Sequence, residues 1–238
     1  MTKLQNLNIE LFADGANFKD IQKYKNEKYI DGFTTNPTLM KDAGVKDYKK
    51  FCIKVLKEVK SKSVSFEIFA DDLVNIEIQA RKIAEWGKNV YVKIPVINTK
   101  NQSNSSLIGK LNKDGIKINV TAVFTLAQTK SILSKINKKT ECIISVFAGR
   151  IADSGLDPVS EIKKHLKEAK KFPNVKILWA SVREPYNIVQ CNKIRCDIIT
   201  VPPSILKKTK VFNKNLEKYS IETVQMFFND AKESGFKI

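Results

Sequence analysis

The chain has 238 residues, 42% of them hydrophobic and 28% charged, enough apolar material for a sizeable core and an ordinary globular balance. Its formal net charge of +17 invites a nucleic-acid partner, but 38 of the 42 basic residues are lysines scattered along the whole chain, without any RNP, KH, helix-turn-helix or zinc-finger signature, so no nucleic acid is expected. No run approaches the ~18 apolar residues of a bilayer span and the polar N-terminus lacks a signal-peptide core, so no membrane partner is expected either.

Residues 9–14 alternate like a strand and end on Asp14, and Asn17 is placed to cap a helix to about Lys28. Residues 32–35 form a short second strand, after which Asn36-Pro37 supplies a cap and a first-turn proline. Tyr48, Phe51, Cys52, Val55, Leu56 and Val59 recur at spacings of 3 and 4, a helical stripe. Strand three covers 64–70, and Asp71-Asp72 opens a helix to about Trp86. Strand four is Val90-Tyr91-Val92-Lys93-Ile94-Pro95, a buried run closed by proline and holding one ammonium. A helix over 104–111, strand five over 117–124 and a helix from Thr125 to about Ile136 follow. Strand six spans 141–147, and a Lys-rich helix over 158–171 carries the single histidine, His165, expected on the surface. Strand seven covers 175–180, a helix 185–191, strand eight 197–201, and the chain ends with a short helix and an amphipathic one over about 221–232.

Eight strands alternating with eight helices, at a repeat of about 27 residues, predict a single-domain (β/α)8 TIM barrel of residues 1–238, with the extra C-terminal helix. The alternative, an open doubly wound sheet, lacks the glycine-rich fingerprint expected after its first strand.

One histidine rules out a zinc site built on two or three histidines within the chain and a Ser-His-Asp triad using a buried His, so no metal is expected. Acid–base work then falls to carboxylates, lysine or tyrosine. Cys52, Cys142, Cys191 and Cys196 show no CxxC spacing and read as reduced thiols in a cytoplasm. In a barrel, function gathers where strands end. The polar residues found there are Asp14, Thr35, Asn36, Glu67, Lys93, Asn119, Thr121, Ser145, Arg150, Ser181 and Arg183. Asn119 and Thr121 share one strand face, as do Ser145 and Phe147. An unpaired buried ammonium is costly and tends to become the neutral amine that a Schiff base requires, which singles out Lys93. Arg150 and Arg183, two of only four arginines, follow adjacent strands and suit a phosphate, with the Ser181 hydroxyl between them.

Asp31-Gly32-Phe33-Thr34-Thr35-Asn36-Pro37-Thr38-Leu39, Val92-Lys93-Ile94-Pro95, Asn119-Val120-Thr121 with Phe124 and Gln128, Ser145 through Ile151, and Ala180-Ser181-Val182-Arg183 resemble the transaldolase family, which includes the fructose-6-phosphate aldolases. The resemblance implies a class I aldol transfer on sugar phosphates, with no cofactor. It implies Lys93 as the Schiff-base residue, Asp14 as proton shuttle, and Glu67 with Thr121 holding the water of imine formation. Asn36 and Ser145 would contact the dihydroxyacetone unit, Thr35, Asn119 and Phe147 would complete the substrate-binding set, and Arg150, Ser181 and Arg183 would hold the phosphate. Glu67 and Phe147 resemble the transaldolase branch, since the aldolase branch has glutamine and tyrosine there. The alternatives are an aldolase releasing free dihydroxyacetone and a transaldolase for a specialised sugar, the latter because Gly15-Ala16 and Val182 depart from the common pattern. The chain length and Pro185 look like the short branch, which implies a homo-oligomer, either a dimer or a pentamer or decamer, with the terminal helix packing on a neighbour.

Overall fold

The structure, a computed structural model, describes residues 3–237. Eight strands form it: β1 (Glu10–Asp14), β2 (Gly32–Thr34), β3 (Ser63–Glu67), β4 (Val90–Pro95), β5 (Ile118–Val123), β6 (Cys142–Val146), β7 (Val175–Trp179) and β8 (Ile198–Val201). Each pairs in parallel with the next, and β8 pairs with β1, closing the expected (β/α)8 barrel.

Strand parity sorts the side chains. Val90, Val92 and Ile94 of β4 join the large apolar layer between strands and helices, whereas Tyr91 belongs to a small inner cluster with Phe12, Ile143, Leu178, Ala180 and Ile198. That cluster fills the axis below the C-terminal ends of the strands. Gly32 is needed beside it, because a β-carbon there would lie 2.5 Å from Ser63 Oγ and 2.7 Å from the Phe12 ring. Toward the C-terminal ends of the strands the inward positions turn polar: Thr34, Ser65, Lys93, Asn119, Thr121, Ser145 and Thr200 are all buried.

Seven of the helices start where a short polar side chain satisfies free backbone N–H groups. Asn17 accepts from the Lys19 and Asp20 amides to open α1 (Phe18–Tyr24). Asn36 accepts from Leu39 N and is followed by Pro37 at the start of α2 (Pro37–Asp42). Asp47 and Asp72 cap α3 (Tyr48–Glu58) and α4 (Leu73–Ala84). After α5 (Ser105–Lys113), Thr125 and Gln128 form a capping box on α6 (Leu126–Leu133). Two helices, α7 (Ala148–Asp153) and α8 (Pro158–Ala169), fill the β6–β7 connection, and α9 (Tyr186–Lys193) precedes β8.

The structure corrects several sequence expectations. Eleven helices occur among the described residues, two more than the eight alternating helices and the C-terminal one expected, because α2 and α7 add short turns of helix at strand ends; the short helix expected after β8 is α10 (Pro203–Lys208). Strand β3 stops at Glu67 rather than Ala70: the Phe69 and Ala70 amides bond Gln79 Oε1 on α4, drawing the chain out of the sheet. Helix α1 ends at Tyr24, and the chain then turns so that Ile30 can be buried. The last helix, α11 (Leu216–Ser234), starts five residues before 221, capped by Asn215, and has no buried residue. His165 is not on the surface. It is fully buried on the α8 face that also carries Ile162 and Ala169, with Nδ1 2.7 Å from Thr129 Oγ1 on α6. Burial lowers its pKa to about 4. No helix among the described residues is long and apolar enough to cross a membrane.

Candidate active site

The polar inward positions open into a cavity of about 200 Å³ at the C-terminal mouth of the barrel, lined among others by Asp14, Asn36, Lys93, Thr121, Ser145, Phe147, Arg150, Ser181 and Arg183. A wider cleft of about 470 Å³ at the other mouth includes Glu10, Asp31, Lys176 and Asp197. Those groups are spent on structure: Lys176 pairs with Glu10, while the Asp31 and Asp197 carboxylates accept from the Leu11 and Ile177 amides.

Lys93 is 6% exposed, its Nζ donating to the Thr35 carbonyl at 3.0 Å and lying 3.2 Å from Glu67 Oε2. The buried amine is therefore not unpaired, as the heptapeptide alone suggests. Its partner comes from the adjacent strand, where Glu67 stands level with Lys93. Such a pair survives burial only because each member satisfies the other.

Asp14 faces this cavity from β1. Burial raises its pKa, opposed by the positive Lys93 and by the Thr34 hydroxyl, which donates to Oδ1 at 2.7 Å. Thr34 Oγ1 in turn lies 2.5 Å from Thr200 Oγ1. Beside Lys93 a similar link runs from Ser145 Oγ to Asn119 Oδ1 at 2.6 Å, and from Asn119 Nδ2 to Ser65 Oγ at 3.0 Å. The two arrangements share one register. Thr200 pairs two residues below Asp14, at Phe12, and Thr34 pairs level with it. Ser65 pairs two below Lys93, at Tyr91, and Asn119 pairs level. The stagger of one residue per strand brings side chains of alternate strands to one height, so Asp14 and Lys93 each stand over a hydrogen bond joining their two flanking strands.

Thr121 Oγ1 is buried, without a hydrogen-bond partner, and lines the cavity. The next residue, Ala122, has φ 55 in the bulge where the β5–β6 register shifts. A partnerless buried hydroxyl facing a cavity waits on a ligand or water. Asn36 spends its Oδ1 on the α2 cap and leaves its amide group to the cavity.

At the rim, Arg150 projects from α7 and Arg183 follows β7. Arg183 pairs with Asp153, Nε donating to Oδ1 at 3.1 Å. Ser181 adopts φ 64, a left-handed conformation uncommon for serine. The Arg183 and Glu184 amides bond Asn187 Oδ1, so the turn is held from α9.

Of the residues expected in the site, three do not line the cavity. Thr35 turns its hydroxyl to the Ser65 carbonyl, Asn119 spends its amide on Ser65 and Ser145, and Glu67 reaches the cavity only through Lys93. Thr34, Thr200, Leu39 and Pro202 line it without having been singled out. Thr200 was legible as the one polar residue in Ile198-Ile199-Thr200-Val201, at the inward parity of Ile198. Among the described residues no group of three or more His, Cys, Asp or Glu side chains is arranged to hold a metal.

A model of the family described as Transaldolase/Fructose-6-phosphate aldolase matches residues 11–238. The chain belongs to that family. Its relatives include a protein of Nitrosopumilus maritimus, 33% identical over 90% of this chain and 97% of its own length. Another, from Dehalococcoides mccartyi, is 32% identical over 83% of this chain and 88% of its own. Both are named "Probable transaldolase". Among solved structures, a dihydrodipicolinate synthase family protein from Coccidioides immitis superposes with a TM-score of 0.56 at 11% identity, covering 94% of this chain and 75% of that one, a likeness of fold alone. The elements that carry the resemblance in the sequence coincide with the cavity wall: the turn of Thr34 and Asn36, Lys93 of β4, Thr121 of β5 and the two arginine loops meet at one mouth.

Proposed function

We propose that the protein is a transaldolase-type class I enzyme that moves a dihydroxyacetone unit from a ketose phosphate to an aldose phosphate. The observation that carries this reading is the buried Lys93 amine, 3.2 Å from Glu67, opening into the same cavity as Asp14. Lys93 Nζ, its proton passed to Glu67, attacks the ketose C2 carbonyl; the carbinolamine then loses water as the imine forms. The partnerless Thr121 hydroxyl, which lines the cavity, and Glu67, which reaches it through Lys93, suit that water. The protonated imine accepts the electron pair of the C3–C4 bond as Asp14 takes the C4 hydroxyl proton, so an aldose leaves and an enamine remains. An acceptor aldose reverses these steps and hydrolysis frees the ketose. A positioned acid–base group contributes roughly 10²–10⁴-fold to such a step. Arg150 and Arg183, with Ser181, suit the phosphate at the rim, and Asn36 and Ser145 suit the hydroxyls of the three-carbon unit.

Glu67 and Phe147 favour transfer over release of dihydroxyacetone, and the relatives' shared name agrees. The chemistry fits sugar-phosphate interconversion of the pentose phosphate type, and four unpaired buried thiols suit a reducing cytoplasm. Helix α11 supports a homo-oligomer: Leu216, Ile221, Val224, Phe227 and Phe228 are all more than half exposed. Borohydride reduction with fructose 6-phosphate should add the mass of a reduced three-carbon or hexose phosphate adduct at Lys93. A wild-type protein that does not trap, or a Lys93→Ala variant that traps equally, ends the reading. Turnover that does not need erythrose 4-phosphate indicates the aldolase activity instead.

A further inference from the structure

The short contact between Thr34 and Thr200 has no role in the steps above, yet it joins the strands on either side of Asp14. Thr34 has one hydroxyl proton. When Asp14 is ionised, that proton is directed at Oδ1 across 2.7 Å. The 2.5 Å contact between the two threonine oxygens must then be made by Thr200 donating to Thr34. Both hydroxyls are buried, at 2% and 4% exposure, and both line the cavity. The direction of the chain is therefore tied to the state of Asp14. With Asp14 ionised it runs from Thr200 through Thr34 to the carboxylate. With Asp14 protonated it runs the other way: Asp14 donates to Thr34, Thr34 to Thr200, and the Thr200 proton turns to the cavity. No proton is transferred along it; two hydroxyl rotors turn.

We propose that Thr200 is a positioning residue for Asp14, acting through Thr34 by setting the direction of this two-hydroxyl chain. Other groups facing the same cavity are Lys93, paired with Glu67, and at the rim Arg150 and Arg183, the latter paired with Asp153. Of these, Lys93 acts on Asp14 by charge. Thr200 acts by hydrogen bonding alone, so its contribution is separable. Donors to a carboxylate favour its ionised form, and a second donor polarises the first. The catalytic consequence rests on the transaldolase reading; the titration consequence does not.

The test is the titration of the Asp14 carboxyl carbon by ¹³C NMR in the ligand-free protein, assigned with Asp14→Asn. Thr200→Val keeps the shape and removes the donor, and should raise the Asp14 midpoint by about half to one pH unit. Thr200→Ser restores the hydroxyl and should return it to the wild-type value. Should the valine variant fold poorly, Thr200→Ala is read the same way. In turnover of fructose 6-phosphate with erythrose 4-phosphate, the acidic limb of the pH profile should follow the titration in Thr200→Val, while borohydride trapping at Lys93 stays within about twofold. A midpoint unmoved in Thr200→Val, or moved equally in Thr200→Ser, overturns the proposal. A wild type that does not trap overturns the reading of the reaction instead, and the titration still decides the role of Thr200.

Discussion

The carbonyl oxygen of Ser181 fills the space where a side chain of Gly149 would stand: a β-carbon there would lie 1.6 Å from it. The contact draws the ends of β6 and β7 together and brings Arg150 and Arg183 to one rim. Gly149→Ala must push the Ser181 turn away, and backbone cannot yield as a flexible side chain does. A loss of about 2–4 kcal/mol in urea unfolding is expected. The KM for fructose 6-phosphate should rise about tenfold or more while trapping at Lys93 by an unphosphorylated ketose changes little. Equal damage to both substrates would mean that the contact supports the barrel and not the phosphate rim.

Glu67→Gln keeps the outline of the side chain and removes its charge. The 3.2 Å partner of Lys93 is then neutral, and a buried ammonium left without its counter-ion costs about 3–5 kcal/mol. The variant should be less stable by a good part of that figure and should form the trapped adduct about 10- to 100-fold more slowly, having lost the group that receives the ammonium proton. Rapid-quench borohydride trapping measures the rate. An unchanged rate would remove Glu67 from imine formation.

Asp14→Asn separates binding from bond cleavage. Lys93 and Glu67 are untouched, so the adduct with fructose 6-phosphate should still form, while transfer to erythrose 4-phosphate falls by at least about 10²-fold. Stability should move the other way. The folded-state pKa of Asp14 lies above its unfolded value, chiefly through burial, so the native state holds that proton more tightly than the unfolded chain. Its ionisation therefore erodes stability as pH rises from the ordinary carboxylate value through the raised one. The asparagine variant should be more stable than wild type at pH 7, with the gap closing below pH 4 in thermal melts. A variant that cannot be trapped would place Asp14 in imine formation instead.

Much of this was legible because the barrel repeats one local rule eight times. Alternation closed by a carboxylate marked Asp14, polar residues within otherwise apolar strands marked Glu67, Lys93, Thr121 and Ser145, and Asn17, Asn36-Pro37 and Thr125 marked helix starts. Parity within a single strand could not say which neighbour meets Lys93. That depends on the stagger between strands: Glu67 and Asn119 both pair with Lys93, yet Glu67 meets its amine while Asn119 is bonded to Ser65 and Ser145. Thr35 was misplaced for a related reason: only one of two adjacent threonines can face the axis, and Thr34 is the one that does. Lysine density hid His165. Ile162, His165 and Ala169 fall on one helical face, and the intervening lysines cover the other.

His165 therefore carries a consequence for stability in acid. Its Nδ1 meets the Thr129 hydroxyl, its Nε2 has no partner, and burial lowers its pKa to about 4, with Glu161 opposing that shift and Lys164 adding to it. In the unfolded chain a histidine takes its proton near pH 6.5. Between those values the unfolded state binds the proton and the native state does not, so stability is present above about 6.5 and is lost as pH falls toward 4. The loss expected from this group is about 1–3 kcal/mol across the window. His165→Gln remains neutral throughout and should show a flatter stability–pH curve by that amount, read from urea midpoints at pH 7, 6, 5 and 4. Carboxylates titrate alike in both proteins, so the difference isolates the α6–α8 seam. Parallel curves for the two would show that His165 is solvated enough to take its proton while the protein stays folded.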